Sequence, residues 1–224
     1  MGEATGTALS REVLRAYENM DRDGRKAFFE MLAVDFGPDP HAIRAATEEY
    51  LRANDARALL RLIAVVEPPR QELFRRINMA PKGTAALVAM RAELLGLLAQ
   101  HPPLKVVDAD MKHLLASWFN SGFLRLERID WHSPADLLEK LIRYDMVQTI
   151  KSWDDLRRRL AADRRCFAFF HPALPDEPLI FLEVALVQGM ADKVTPLLDD
   201  RAPVLRARDA NTAMFISINS TQPG

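Results

Sequence analysis

The hydrophobic period of this 224-residue chain changes once, and that change limits the fold more than any other feature. From Ser10 to about Asn120 apolar residues recur three and four apart, the spacing of helices that each bury one stripe. After the turn-rich Asn120, Ser121 and Gly122 the runs become aromatic and β-branched, and strands enter. An all-α helical bundle over residues 1–119, followed by a mixed module over residues 120–224, is the organisation this predicts.

Within the first part, Val13, Tyr17 and Met20 make one stripe and Phe29, Leu32 and Phe36 the next. Gly24 interrupts them, and Gly37-Pro38-Asp39-Pro40 ends the second, with Asp39 as an N-cap and Pro40 at the first helical position. Asp55 caps a helix containing Leu59, Leu60, Ile63 and Val66, which Pro68 and Pro69 terminate. Two further helices are predicted: one with Leu87, Met90, Leu94, Leu95 and Leu98, then one opening at Asp108 or Asp110 and running through Leu114, Leu115 and Trp118.

In the second part Ser133–Asp136 and Ser152–Asp155 both read as capping boxes, each opening a helix. CFAFFH (166–171) and LIFLEVALV (179–187) read as a hairpin with a long, proline-rich connection, with a helix near Lys193. In TAMFISI (212–218) strict alternation puts Met214, Ile216 and Ile218 on one face and Phe215 and Ser217 on the other.

Bulk properties exclude several classes. Thirty Lys plus Arg against 31 Asp plus Glu create no field that would draw nucleic acid or an anionic membrane. Apolar runs such as Leu179–Val187 fall far short of the ~20 residues of a spanning helix, so no membrane partner is expected. A lone Cys166 fits a reducing compartment, the cytoplasm by default, and rules out a disulfide framework.

Local motifs for chemistry are weak. Asp21, Asp23 and Gly24 resemble a calcium loop, but an EF-hand needs Gly at its sixth position and Glu at its twelfth, where Lys26 and Leu32 stand; a helix-ending turn fits better. Cys166 and His171 lie five apart on one strand, about 16 Å at 3.3 Å per residue, so they cannot act as thiolate and base. His41, His101, His113 and His132 lack metal-ligand spacing. Arg157, Arg158, Arg159, Arg164 and Arg165 lie among Asp154, Asp155 and Asp163 and read as a solvated helix face. No phosphate loop, dinucleotide fingerprint or serine-hydrolase elbow is present.

Four segments carry a resemblance: RAELL (91–95), WFNSGFLRLERIDWHSP (118–134), RRCFAFFHPALPDEPLIFLEVAL (164–186) and TAMFISINSTQPG (212–224). Together, in this order, they resemble malonyl-CoA decarboxylases. The resemblance implies a helical domain that forms a homo-oligomer, followed by the incomplete start of an acetyltransferase-like α/β catalytic domain, and no metal or organic cofactor. It implies malonyl-CoA as substrate and acetyl-CoA as product, with the enolate on the thioester oxygen held by hydrogen-bond donors and protonated by an acid.

The family's principal serine and histidine lie beyond the segment matching residues 212–224, so the chain by itself is expected to be inactive. The resemblance gives Ser217 a supporting catalytic role, and Ser220, Thr221, Gln222 and Gly224 places along the acyl-CoA pocket. The residues alone favour the other reading of Ser217, packing beside Phe215 with its hydroxyl on nearby backbone, and only the resemblance sets the catalytic role level with it. They also leave open that residues 1 to about 119 are a non-enzymatic interaction module.

Overall fold

A computed structural model describes residues 3–146, 148–199 and 202–222, which form an α+β protein of two compact units meeting between Trp118 and Phe119.

The first unit contains α1 (Glu3–Glu18), α2 (Arg22–Val34), α3 (Pro40–Ala53), α4 (Ala56–Val66), α5 (Pro69–Asn78), α6 (Gly83–Leu97) and α7 (Lys105–Trp118). Local chemistry sets the starts. Asp21, Asp39 and Asp55 accept from the backbone N–H groups of Gly24, His41 and Ala58, each satisfying a donor the helix cannot. Asp21 therefore begins α2 and does not end α1, and Gly24 sits in the first turn of α2, where the expectation had placed an interruption.

Two other expectations need correction. Pro68 and Pro69 do end α4, but Pro69 is also in the first turn of α5, a helix the stripes had not announced. α7 starts at Lys105, so Asp108 and Asp110 are interior residues and not caps. Each instead meets an arginine from another helix: Asp108 with Arg91 at 2.8 Å, and Asp110 with Arg70.

The core of this unit gathers Tyr17, Phe28, Phe29 and Leu32 with Phe74, Ile77, Leu87, Met90, Leu94, Met111 and Leu114. Full burial of each large apolar side chain contributes roughly 1.5–3 kcal/mol. Gly83 lets α6 start hard against α5, since a Cβ there would lie 1.8 Å from the Ile77 carbonyl oxygen. α4 departs from the pattern: Leu60 and Ile63 are 67% and 56% exposed, and Leu59 and Val66 are also exposed.

The second unit is a four-stranded antiparallel sheet in sequential order: β1 (Arg125–Ile129), β2 (Arg164–Phe170), β3 (Ile180–Val187) and β4 (Thr212–Ser220). The β2–β3 hairpin with its long connection is as predicted. α8 (Ala135–Tyr144) and α9 (Trp153–Arg159) bring Leu138, Leu141 and Leu156 against Cys166, Ala168, Phe170 and Phe181, closing one face of the sheet. α10 (Thr195–Leu198) is one turn long.

Of the two capping boxes, Ser152–Asp155 forms: Ser152 Oγ accepts from Asp155 N at 3.2 Å, while the Asp155 carboxylate reaches Lys151 N. Ser133 does not cap. Its hydroxyl accepts from Asp130 N in the turn before Pro134, and α8 starts without a side-chain cap. The proline fixes the entry φ, and the Ser oxygen serves the preceding turn.

Of the arginine cluster, Arg157 is exposed as a solvated face requires and Arg165 is half-buried, but the other three are not on a solvated face. Arg158, Arg159 and Arg164 are buried, and Asp163 is buried with them. Arg158 forks onto Asp163 at 2.7 and 3.1 Å. Arg164 donates to the Asp163 carbonyl and to the Leu197 carbonyl at 2.6 Å. Burial opposes charge on Asp163, but Arg158, the Leu205 N–H and Arg164 hold its carboxyl below the usual range. Among the described residues no helix is long and apolar enough to cross a membrane.

Candidate functional site

Strict alternation fails in β4. A bulge between Glu183 and Val184 pairs Ser217 with Glu183 and Phe215 with Val184, which leaves Ile216 without a direct partner. The consequence is a change of face. Phe215 is 67% exposed and Ile218 62% exposed, whereas Ser217 and Asn219 are buried. Ser217 and Phe215 therefore do not share a side of the strand as alternation required.

Register then puts Ser217 beside Glu183, and Asn219 beside Phe181, on the face that Cys166 and Ala168 occupy in β2. Ser217 Oγ donates to Glu183 Oε2 at 2.8 Å, so its hydroxyl is committed to a carboxylate and not to backbone. Arg159 Nη1 donates to the same Glu183 oxygen at 2.9 Å and to Asp145 Oδ2 at 2.9 Å. Arg159 Nε meets Asp155 at 3.1 Å, and Nη2 donates to the Gln148 carbonyl. Asn219 Nδ2 closes the circuit, donating to Asp145 Oδ1 at 3.1 Å.

Three carboxylates thus surround one guanidinium below the sheet. Burial is the largest influence on Glu183 and pushes its carboxyl upward; Asp145 adds to this, against the pull of Arg159 and the Ser217 hydroxyl. A carboxyl poised this way can hold a proton at a higher pH than an exposed one, and it fixes the direction in which the Ser217 O–H points.

Arg159 and Asp155 also line a cavity of about 900 Å³, with Lys151 and Ser152 before α9 and Thr195 and Asp199 around α10. The cavity therefore adjoins the network through Arg159, which connects it to Glu183 and Ser217. Among the described residues no group of three or more His, Cys, Asp and Glu side chains is arranged to hold a metal ion.

The other singled-out residues lie elsewhere. Ser220, at the end of β4, is exposed, and its hydroxyl donates to the Gln222 carbonyl at 3.3 Å. Thr221 donates to the Pro178 and Leu179 carbonyls, and Gln222 Nε2 reaches Glu177 at 3.4 Å, so both are fastened to the β2–β3 connection. Gly224 lies outside the described residues. Cys166 is buried and its thiol is pushed up, mainly by burial, so it is no nucleophile. His171 accepts from Ala173 N through Nδ1 and packs on Phe119 and Phe123, while His132 is almost fully exposed.

Sequence reasoning missed Glu183, Arg159, Asp145 and Asn219. Signals for two of them were present. Glu183 is the lone charge inside an apolar run that reads as a buried strand, and a buried charge requires a partner. Arg159 stands four residues after Asp155, one helical turn from the cap of α9. Nothing local marks Asp145 or Asn219, whose meeting across 74 positions depends on the tertiary fold.

Comparison with known proteins shows the family. Residues 36–119 match the model of the malonyl-CoA decarboxylase N-terminal domain, and residues 122–224 match that of the malonyl-CoA decarboxylase C-terminal domain. The mitochondrial malonyl-CoA decarboxylase of Anser anser anser is 34% identical over 96% of this chain and 46% of its own length. The crystal structure of malonyl-CoA decarboxylase from Rhodopseudomonas palustris is 52% identical with a TM-score of 0.93, covering 99% of this chain and 54% of that one. The enzyme of that name from Agrobacterium vitis gives 44% identity, a TM-score of 0.93 and the same coverage. The chain spans about half the length of the relatives it matches. With both domain models of one family matching in sequence order, the chain belongs to the malonyl-CoA decarboxylase family.

Proposed function

We propose that this chain supplies the helical unit and part of the catalytic unit of an enzyme that converts malonyl-CoA to acetyl-CoA and carbon dioxide. One observation carries the reading: the buried Ser217–Glu183–Arg159 assembly lies within the segment that matches the family's C-terminal domain. Decarboxylation breaks the bond between the malonyl carboxylate and the α-carbon, and its electron pair moves onto the thioester as an enolate. A preorganised donor aimed at that oxygen is worth roughly 10²–10³ in rate.

In this reading Glu183 and Asn219 orient the Ser217 hydroxyl, which positions the reacting malonyl group or the donors around it. Ser220, Thr221, Gln222 and Gly224 contribute to the acyl-CoA pocket. The principal serine and histidine that the resemblance implies come from the remainder of the family's length. The same proposal includes homo-oligomerisation through the helical unit, and a cytoplasmic location that fractionation of the source cells would test.

The test joins residues 1–222 to the C-terminal part of the Rhodopseudomonas palustris enzyme and measures acetyl-CoA formed from malonyl-CoA. Turnover by the fusion, and none by the 224-residue chain, is the expected outcome. A folded fusion that releases no acetyl-CoA overturns the activity. Turnover by the chain alone within tenfold of the fusion overturns the assignment of residues.

A further inference from the structure

Hydrogen-bond donors are shared unequally among the three carboxylates around Arg159. Asp145 receives Arg159 Nη1 at 2.9 Å, Asn219 Nδ2 at 3.1 Å and the Gln148 backbone N–H at 3.0 Å. Asp155 receives Arg159 Nε and the Lys151 backbone N–H, both at 3.1 Å, and at 18% exposure it also reaches solvent. The Glu183 side chain is 5% exposed, and its donors are Arg159 Nη1 and the Ser217 hydroxyl, both on Oε2. Among the described residues no backbone N–H reaches the Glu183 carboxyl.

Charge points the same way. With all three carboxyls ionised, one guanidinium would face three negative charges in a region largely shut off from water. Neighbouring cations do not fill the deficit: Arg158 and Arg164 are engaged by Asp163, and Lys151 is exposed. From β2, Cys166 stands directly opposite Glu183 as a thiol that burial keeps protonated, and β4 supplies only the neutral Ser217 and Asn219. Uncompensated buried charge is relieved by taking up a proton, and the carboxyl with the fewest donors takes it most readily. Burial raises the Glu183 carboxyl in the same direction.

We propose that Glu183 is a positioning residue that works in its protonated form, donating its own hydrogen to Ser217 Oγ so that the Ser217 O–H is free for the malonyl thioester oxygen. With Glu183 ionised, the single proton between Ser217 Oγ and Oε2 belongs to the serine and points at the carboxylate, which leaves no donor for a substrate. A proton on Oε2 reverses that bond without moving either heavy atom, and Oε2 keeps a lone pair for Arg159. Asn219 cannot capture the freed hydrogen. Its Oδ1 accepts from Met146 N and its Nδ2 faces Asp145, so what it turns toward Ser217 Oγ, at 3.4 Å, is a donor.

The inference rests on the decarboxylase reading and adds the protonation state which that reading needs. As the bond to the malonyl carboxylate breaks, its electron pair moves onto the thioester oxygen, and Ser217 and Glu183 both keep their protons. Because the protonated form is the active one, activity is full below the folded pKa of Glu183 and is lost as pH rises through it.

The pH profile of kcat in the fused enzyme, for the parent, Glu183→Gln and Glu183→Met, decides the question. Gln has an amide N–H that stands in for the carboxylic O–H, whereas Met fills similar space without a donor. The parent's kcat should fall about tenfold per pH unit above the Glu183 pKa. Glu183→Gln should lose that limb and stay within about tenfold of the parent, and Glu183→Met should fall by about 10²-fold. Infrared difference spectra of the 224-residue chain against its Glu183→Gln variant follow the carboxyl itself, and a protonated-carboxyl band should vanish over the same pH range. The proposal is overturned by a parent kcat that does not fall with rising pH, a limb that persists in Glu183→Gln, a Gln variant as impaired as Met, or a band missing where activity is full. Any of these with turnover in the fused parent overturns this inference alone; no turnover at any pH overturns the decarboxylase reading with it.

Discussion

Replacing Arg159 by Met keeps most of the side-chain volume and removes the charge that Asp145, Asp155 and Glu183 share. The arginine side chain is 5% exposed, those of Asp145 and Glu183 are 0% and 5%, and solvent cannot take over its role. Removing one partner of a buried ion pair costs about 3–5 kcal/mol, because the charges left behind stay desolvated. For a unit of this size, about 5 °C per kcal/mol turns the midpoint of that range into a fall of roughly 20 °C in melting temperature.

The sign of the pH dependence follows from the same groups. Burial already raises the Glu183 carboxyl, and without Arg159 it loses the pull that opposes this, so it binds its proton more tightly than in the unfolded chain. Its protonation stabilises the variant fully below the unfolded pKa, and that stabilisation is lost as pH rises through the folded value. The deficit relative to the parent chain should therefore be larger at pH 8 than at pH 5. Calorimetric melts at the two pH values check this. A fall of less than about 5 °C, or a deficit that grows on acidification, would refute the view that Arg159 neutralises a buried excess of carboxylate.

Glu183→Gln tests the other side of the cluster. Burial raises the Glu183 carboxyl above its ordinary value, so its favourable protonation is complete at low pH and lost as pH rises through the folded value. The variant, measured by urea unfolding against the parent chain, should gain relative stability from pH 5 to pH 8; a difference that does not vary with pH rejects the raised carboxyl. Gly83→Ala should cost about 1–3 kcal/mol or more in the helical unit, since a Cβ 1.8 Å from the Ile77 carbonyl forces α6 away from α5. Unchanged unfolding in that variant would mean the two helices are not so closely apposed.

What could be read from residues was what local chemistry decides. Asp39 with Pro40, Asp55, and the Ser152 box each satisfied a backbone donor a few positions away, so their helices began as expected. The β2–β3 hairpin was legible because CFAFFH and LIFLEVALV are too short and too branched for helices. α5 was hidden because a proline pair ends one helix and starts another with the same two residues.

The candidate site was legible only through Ser217, and its surroundings were not. An insertion in the register of β4 cannot be seen in an alternation count, yet it is what turns Ser217 toward Glu183. The arginines of 157–165 misled for a related reason. Charge beside charge on a short helix looks like a wet surface until the fold shows that Arg158, Arg159 and Arg164 point into a sheet carrying Glu183.

The central claim is that the Ser217 face of this sheet takes part in decarboxylation, and the turnover number of Ser217→Ala in the fused enzyme tests it most directly. The account predicts a fall in kcat of about 10-fold to 10³-fold. Melting temperature should shift by only a few degrees, because Glu183 keeps Arg159 and Asn219 keeps Asp145. A variant with unaltered kcat and KM would contradict it, and would leave the Ser217–Glu183 hydrogen bond as a structural contact alone.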